Sequence, residues 1–83
     1  MNLSLATVTE TLRAYITREL IRDAGYPLGL AEPIITQGLM DSFALAELGV
    51  YIENEFGVYI PDADLTVAQM NTLEQIAARV LQG

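Results

Sequence analysis

Residues 38–57 read GLMDSFALAELGVYIENEFG, and this stretch decides the fold because it contains one well-delimited helix. We predict that the helix runs from about Ser42 to Phe56, with Asp41 as its cap or first-turn acid. Gly57 follows as the stop, since Gly is favoured just past a helix end. The segment therefore places an Asp-Ser pair, introduced by a glycine turn, at the start of the helix.

Two apolar stripes run along this predicted helix. The first recurs at helical spacing, is wide enough to face a core and consists of Leu45, Leu48, Ile52 and Phe56. The second lies on another face, between acidic side chains, and consists of Phe43, Ala46 and Val50. Two interpretations stay open: the helix is buried on two sides, as in many small bundles, or the second stripe is an exposed partner-binding surface rimmed with acids.

The segment before this helix predicts another helix and a loop. Apolar residues at helical period indicate a long amphipathic helix over about residues 7–22. Residues 25–38 contain Gly and Pro without a sustained period. We expect them to form a long loop that is pinned by its own apolar side chains, Leu30, Ile34 and Ile35.

Two shorter signals follow the central helix. Pro61 and the acids after it predict a single connector turn of helix. Asn71 or Thr72 is expected to cap a last helix that runs through about Leu81, and Asn71 with Glu74 resembles a capping box. The inner face of this last helix is predicted to consist of Leu73, Ile76, Ala77 and Val80.

The fold class predicted from these elements is all-α. Three main helices and one short helix form a small antiparallel four-helix bundle, with a long loop between the first two helices. Residues 1–83 form a single domain, which buries roughly 60–65% of its unfolded surface. The core is therefore small, and the chain has no room for a separate catalytic domain.

The composition excludes many kinds of chemistry. The chain contains no Cys and no His, and its four basic residues are all Arg. It therefore lacks the usual nucleophile–base pairs, Schiff-base amines and nitrogen or sulfur metal ligands. We predict a protein that is not an enzyme, with no catalytic residues and no metal site.

Asp62 and Asp64 raise the alternative of a calcium loop, since alternate carboxylates can ligate a hard cation. The loop fails the template, because Val67 stands where the invariant Gly is needed and Leu73 replaces the bidentate Glu. Specific calcium binding is therefore not expected.

The formal net charge is −7, and it is unevenly distributed. Every Arg lies before Asp23 or at Arg79, so the middle of the chain is predicted to carry an acidic face. An acidic surplus also serves solubility. We expect basic proteins as partners and no binding to nucleic acid or membrane, because this charge repels phosphates and anionic lipids. With no basic N-terminal region and no apolar run near ~18 residues, the chain is expected to be a cytoplasmic monomer.

Several motifs together resemble those of the acyl and peptidyl carrier proteins across nearly the whole chain. An Asp-Ser dipeptide alone is uninformative, but here it heads a helix that ends in an acidic cluster followed by Phe-Gly. The matching positions are Asp41-Ser42-Phe43, Glu47-Leu48, Glu53-Asn54-Glu55-Phe56-Gly57-Val58, Ile60-Pro61 and Thr72-Leu73.

This resemblance implies that Ser42 receives 4′-phosphopantetheine from coenzyme A through a phosphopantetheinyl transferase, and that Asp41 helps to position the serine. The thiol of the arm then carries an acyl or aminoacyl group as a thioester. Partner enzymes belong to fatty-acid, polyketide, nonribosomal-peptide or related secondary metabolism, and include a loading enzyme and downstream synthases or transferases. For partner recognition we predict the residues Phe43, Ala46, Glu47, Val50, Glu53 and Asn54.

The spacing between Gly38 and Asp41 is similar to that of Gly-Leu-Leu-Asp-Ser carriers, which resemble free-standing proteins charged by a dedicated ligase. We therefore expect an acyl- or aminoacyl-adenylating ligase as the loading enzyme. Because the sequence starts at a Met and ends at Gly83, the chain is expected to be free-standing. Ala46 and Gly49 are smaller than the valines frequent in the family, so they either widen a cavity or let helices approach closely.

The alternative function is that of a non-modified, acidic helical interaction module. In this interpretation Ser42 is merely structural, as a helix cap, and a basic partner docks through Phe43, Val50 and Glu47 without any cofactor. The two hypotheses differ at the Ser42 hydroxyl, which must be accessible from solvent in a carrier.

Overall fold

The computed structural model describes residues 4–83, and within them the fold is all-α, as predicted. A π-helical segment (Ile16–Ile21) continues the first helix, and a 3₁₀ turn (Asp62–Asp64) precedes the third. The prediction of one domain over residues 1–83 also covers residues 1–3, which lie outside the described part. The α-helices are α1 (Leu5–Tyr15), α2 (Ala44–Phe56), α3 (Val67–Met70) and α4 (Leu73–Gln82).

Helices α1, α2 and α4 pack around one apolar core, and α1 and α4 contact each other most extensively. The loop between α1 and α2 adds Leu28, Ile34 and Met40 to this core. Among the described residues, no helix has the length and apolar character needed to cross a lipid bilayer. The helices contribute the buried side chains of Val8, Leu12, Leu45, Leu48, Ile52, Leu73, Ile76, Ala77 and Val80.

The first helix differs from the continuous α-helix predicted over residues 7–22. It begins earlier, at Leu5, because the Ser4 hydroxyl accepts a hydrogen bond from the Thr7 N–H at 3.1 Å. Its second half is π-helical rather than α-helical. Apolar periodicity cannot distinguish an α-helix from a π-helix over a single turn, so the sequence does not indicate where the π-helical segment begins.

The π-helical segment contains a side-chain hydrogen bond that competes with the regular backbone pattern. The Thr17 hydroxyl donates to the Arg13 carbonyl at 2.8 Å. The segment ends at Arg22, whose backbone is left-handed (φ 64°, ψ 38°) and whose N–H donates to the Thr17 carbonyl. The chain leaves the helix at this residue and enters the long loop.

Helix α2 has the predicted stop and the predicted buried stripe. Gly57 is left-handed (φ 71°), and its N–H donates to the Glu53 carbonyl at 2.9 Å, which makes it the C-cap. The helix starts at Ala44, later than the predicted Ser42, because Asp41 closes the preceding turn. In the first stripe, Leu45, Leu48 and Ile52 are buried and Phe56 is partly buried.

Helix α4 is capped by Thr72, but its capping box differs from the predicted one. The Thr72 hydroxyl accepts from the Gln75 N–H at 3.2 Å, and the Gln75 side-chain oxygen accepts from the Thr72 N–H at 3.0 Å. The box predicted from Asn71 and Glu74 is therefore wrong. Gln75 forms the box because it stands three positions after the residue that acts as N-cap.

The long loop is fixed to the start of α4 by Asn71. The side-chain oxygen of Asn71 accepts from the N–H groups of Ile35 (2.9 Å) and Thr36 (3.1 Å), and its backbone carbonyl accepts from Ile34 (2.7 Å). Ile34 is buried and Ile35 partly buried, as predicted. Leu30 is 47% exposed, so its predicted role as an apolar pin is wrong; its carbonyl instead accepts a backbone hydrogen bond from α4.

The connector predicted after Pro61 is present as the 3₁₀ turn. The carboxylate of Asp64 accepts from the Arg79 guanidinium at 3.2 Å, which ties this turn to α4. Helix α3 was not predicted, because its four residues are too few to show a period. It buries Met70 against the core.

Candidate functional site

Ser42 lies in an exposed turn that buried side chains hold at both ends. Met40, before the turn, is 5% exposed, and Leu45, after it, is 4% exposed. Between these two residues, Asp41, Ser42 and Phe43 are all exposed. Because its flanks are anchored in the core, the turn presents its own side chains to solvent.

The Ser42 hydroxyl makes no hydrogen bond to any residue of the part of the chain that the structure describes. Asp41 caps the start of α2 instead, because its carboxylate accepts a hydrogen bond from the Ala44 N–H at 3.1 Å. The Asp41 carbonyl accepts from the same N–H at 3.2 Å. The interpretation of Ser42 as a helix cap is therefore wrong, and its oxygen is free for other chemistry.

The backbone around Ser42 fits a negatively charged group. Within residues 4–83, the N–H groups of Ser42 and Phe43 have no hydrogen-bond acceptor. They lie just before α2, whose N-terminal end carries positive partial charge. Asp41 adds a negative charge on the same turn. The hydroxyl oxygen can be esterified, and the unpaired N–H groups beside it can donate to the oxygens of a phosphate attached there.

The second apolar stripe of α2 faces solvent. Phe43 is 87% exposed and Val50 60% exposed. The interpretation in which α2 is buried on two sides is therefore wrong. Exposed apolar groups framed by acids are typical of protein-binding surfaces. We define the α2 strip as the six residues predicted for partner recognition, all of them exposed: Phe43, Ala46, Glu47, Val50, Glu53 and Asn54.

An aromatic cluster that the sequence did not indicate fixes α1 against α2 beside this strip. Tyr15 and Tyr51 stack with ring centroids 3.7 Å apart and planes 7° from parallel. Phe56 meets Tyr51 edge-on, with centroids 6.3 Å apart. Partial burial raises the pKa of both tyrosines, and the acids Glu47 (near Tyr15) and Glu55 (near Tyr51) raise it further. The cluster forms only once the helices pack, so no local sequence signal predicts it.

Two grooves lie between the first helix and α2. The groove beside the turn has a volume of about 410 Å³, and Arg22, Asp41 and Phe43 are among the residues that line it. The neighbouring groove, of about 740 Å³, is lined by Arg18, Arg22 and Glu47, among others. We expected no role for these arginines, since each stands in the sequence only as an isolated surface charge.

Gly49 permits a close approach to α2. A Cβ atom at this position would come within 2.9 Å of the Leu65 side chain. The small residue therefore lets the segment after the 3₁₀ turn pack against the helix, and Gly49 and Ala46 also line a groove of about 210 Å³. Ala46, the other small residue, is exposed on the α2 strip.

The described residues offer no clustered metal ligands. Among residues 4–83, no group of three or more His, Cys, Asp or Glu side chains is placed to hold a metal ion. Asp64, one of the two acids considered for calcium, pairs with Arg79 instead.

Comparison with known proteins adds one finding to this geometry. Residues 10–80 match the family described as phosphopantetheine attachment site. The match covers most of the 83 residues and includes the turn around Ser42 and the whole α2 strip. No curated protein matches the chain.

Proposed function

The chain belongs to the phosphopantetheine attachment family, and from this premise we propose that Ser42 is the residue that holds the arm. Domains of this family carry 4′-phosphopantetheine covalently. The arm supplies the thiol on which cargo is held as a thioester. Ser42 would hold the arm through a phosphodiester, and Asp41 would help to position the serine for the transferase.

The observation that carries this proposal is the state of the Ser42 oxygen, which is exposed and without a hydrogen bond among the described residues. The chain has only one other serine, Ser4. Ser4 lies outside the matched residues 10–80, and its hydroxyl is bonded to Thr7. Ser42 is therefore the only serine within the matched residues 10–80.

The chemistry of the chain favours a carrier over an enzyme. Without Cys, His or Lys, the protein has neither a thiol nor an ordinary nucleophile–base pair of its own. A carrier needs neither, because partner enzymes provide the catalytic groups. We propose that residues 1–83 act as a single non-catalytic carrier domain.

We propose that the α2 strip is the surface that partner enzymes recognise. Phe43 and Val50 supply exposed apolar area, and Glu47 and Glu53 supply negative charge around it. A partner with an apolar contact framed by Arg or Lys fits this pattern. The partners in question are the phosphopantetheinyl transferase, the loading enzyme and the downstream synthase or transferase.

For the loading enzyme we propose an acyl- or aminoacyl-adenylating ligase. The support is the spacing between Gly38 and Asp41, which is similar to that of carriers charged in this way. Incubation of the arm-bearing protein with a ligase, ATP and candidate acids, followed by intact mass measurement, tests this part separately. Loading only from an acyl-coenzyme A donor contradicts it.

The attachment site is tested by intact mass spectrometry after incubation with coenzyme A, Mg²⁺ and a broad-specificity phosphopantetheinyl transferase. We expect wild type and the Ser4→Ala control to gain one phosphopantetheine mass. The Ser42→Ala variant should gain nothing, because its oxygen acceptor is missing. Since the Ser42 hydroxyl makes no hydrogen bond within residues 4–83, this variant should also keep its stability within about 0.5 kcal/mol.

Two outcomes contradict the proposal. Modification of Ser42→Ala would place the arm on another residue. No mass gain in wild type, with a transferase that modifies a reference carrier in the same tube, would favour the alternative of a non-modified interaction module that uses the α2 strip alone.

A further inference from the structure

One arginine in the structure differs from the other three in its partners. Arg13 is paired with Glu10, Arg18 with Glu19 at 3.8 Å, and Arg79 with Asp64 at 3.2 Å. Among residues 4–83, Arg22 has no carboxylate oxygen within 4.0 Å of its guanidinium. Its charge is therefore available to a group that the protein chain itself does not provide.

The backbone at Arg22 is also unusual. It is the one non-glycine residue of the described chain with a positive φ, 64°. Residues other than Gly, Asn and Asp seldom adopt this conformation, because the Cβ atom crowds the backbone. Local strain of this kind concentrates at functional positions. Here it ends the π-helical segment, and Arg22 is one of the residues that line the groove beside the turn.

The turn that contains Ser42 contributes to the lining of the same groove. Met40, Asp41 and Phe43, the residues on both sides of Ser42, line the groove together with Arg22. Glu19 and Glu47 also line it, so all the other charged groups there are acidic. A phosphodiester on Ser42 would add a further negative charge to this already acidic surface. The one basic residue that lines this groove is Arg22.

We propose that Arg22 is a positioning residue that pairs with the phosphate of the arm once Ser42 is modified, an inference that rests on the proposed attachment at Ser42. A guanidinium suits this role because its planar set of donors matches phosphate oxygens. No existing ion pair has to break for the contact to form. The pairing holds the root of the arm on the side of the molecule where α1 meets α2.

The experiment compares proteins with and without the arm for wild type, Arg22→Gln, Arg22→Lys and Arg18→Gln. Arg18 is the matched control, because it lies on the same helical segment and lines the neighbouring groove but not the one beside the turn. Melting temperatures are measured in low salt and in 1 M NaCl. The ³¹P resonance of the phosphodiester is recorded for each arm-bearing protein.

We expect the change in Tm on modification to be about 1–4 °C more favourable in wild type than in Arg22→Gln, the size of a surface ion pair in a domain of this length. Arg22→Lys should keep part of this difference, and Arg18→Gln should keep all of it. The difference should vanish in 1 M NaCl, because salt screens exposed charges. The ³¹P resonance should move in Arg22→Gln and stay in place in Arg18→Gln.

Equal Tm changes in wild type and Arg22→Gln, an equal loss in Arg18→Gln, or a difference that persists in 1 M NaCl would each overturn the role of Arg22. These outcomes are distinct from a failure of the proposed function. That failure would show earlier, as the absence of any mass gain at Ser42 in wild type.

Discussion

At the scale of single residues, Asp41 and Ser42 are adjacent and both exposed, yet only one of them stabilises the local backbone. Asp41 accepts the Ala44 N–H, a capping bond that typically contributes about 0.5–2 kcal/mol to stability. Ser42 makes no such contribution. Asp41 therefore contributes to folding, whereas the Ser42 hydroxyl does not. Substitution of Asp41 should affect both stability and modification, and substitution of Ser42 should affect modification alone.

A second residue-scale feature is the hydrogen bond from the Tyr26 hydroxyl to the Glu32 carboxylate within the long loop. This bond, and the Gly29 N–H that the same carboxylate accepts at 3.1 Å, lower the pKa of Glu32 below its ordinary value. The Glu32 carboxylate raises the pKa of Tyr26 in turn. The charged form of Glu32 and the neutral form of Tyr26 are the pair that stabilises the fold.

We predict a pH-dependent effect of the Glu32→Gln substitution. Because the pKa of Glu32 is lowered on folding, its contribution is fully present above the ordinary carboxyl pKa of about 4.3 and is lost as the pH falls through the folded value. Thermal unfolding should therefore show Glu32→Gln less stable than wild type at pH 7, with the gap closing toward pH 3. Because the pKa of Tyr26 is raised, the contribution also fades above about pH 10.

The matched variants are Tyr26→Phe, which should reproduce part of the effect because the Gly29 N–H still donates to Glu32, and Tyr59→Phe, which removes a hydroxyl from an exposed residue elsewhere. A stability gap of constant size between pH 3 and pH 7 would count against this hydrogen bond as its origin.

At the scale of elements, the loop between α1 and α2 is held by backbone hydrogen bonds rather than by apolar side chains alone. Asn71 is the centre of this arrangement, because its side chain accepts from two loop N–H groups and donates to the Thr36 hydroxyl at 3.0 Å. The C-terminal end of this loop is the turn that contains Ser42. The position of the proposed attachment site therefore depends on Asn71, which precedes α4 in the sequence.

We predict that Asn71→Ala destabilises the protein by about 1–3 kcal/mol, because the partly buried N–H of Ile35 and the exposed N–H of Thr36 both lose their acceptor. In a domain of this size, each 1 kcal/mol lowers the Tm by roughly 4–8 °C. Asn71→Asp keeps the acceptor and loses only the donor, so its loss should be smaller. Chemical denaturation of the three proteins measures both effects, and equal losses in the two variants would refute the acceptor role.

At the scale of the whole molecule, acidic charge is concentrated where the α2 strip and the Ser42 turn lie. Glu47, Glu53 and Glu55 are exposed on α2, which carries no basic residue. The basic residues lie on α1, on the π-helical segment, at its C-cap Arg22, and on α4. A basic partner is therefore attracted toward the face that displays the serine.

We predict that reversing the two acids of the α2 strip, Glu47→Lys with Glu53→Lys, slows modification by a basic transferase several-fold in low salt. Rim charges act mainly on the association rate, so kcat/KM should fall and its dependence on salt should become shallower. Glu74→Lys, which reverses an exposed acid on α4, is the control and should retain wild-type kinetics. Unchanged kinetics in the double variant would argue against docking through this strip.

Much of this arrangement could be predicted because its signals are local. Gly57 stops α2, Asp41 closes the turn before it, and the spacing of apolar residues identifies the stripe that faces the core, whereas the exposure of the second stripe was left open by the sequence. What could not be predicted depends on distant partners. The contacts of Asn71 reach across 35 residues or more, and the groove lined by Arg22 exists only after the first helix packs beside α2.

Met40 and Leu45 fasten both ends of the turn around Ser42 to the core. A group bonded to that serine would consequently have an immobile origin, while everything beyond its first bonds could rotate. The distance from the α2 strip, where a partner would bind, to the Ser42 oxygen would then be the same in every complex. Successive enzymes could then bind in the same orientation, and the free end of the attached group could still reach active sites that lie at different depths below their surfaces.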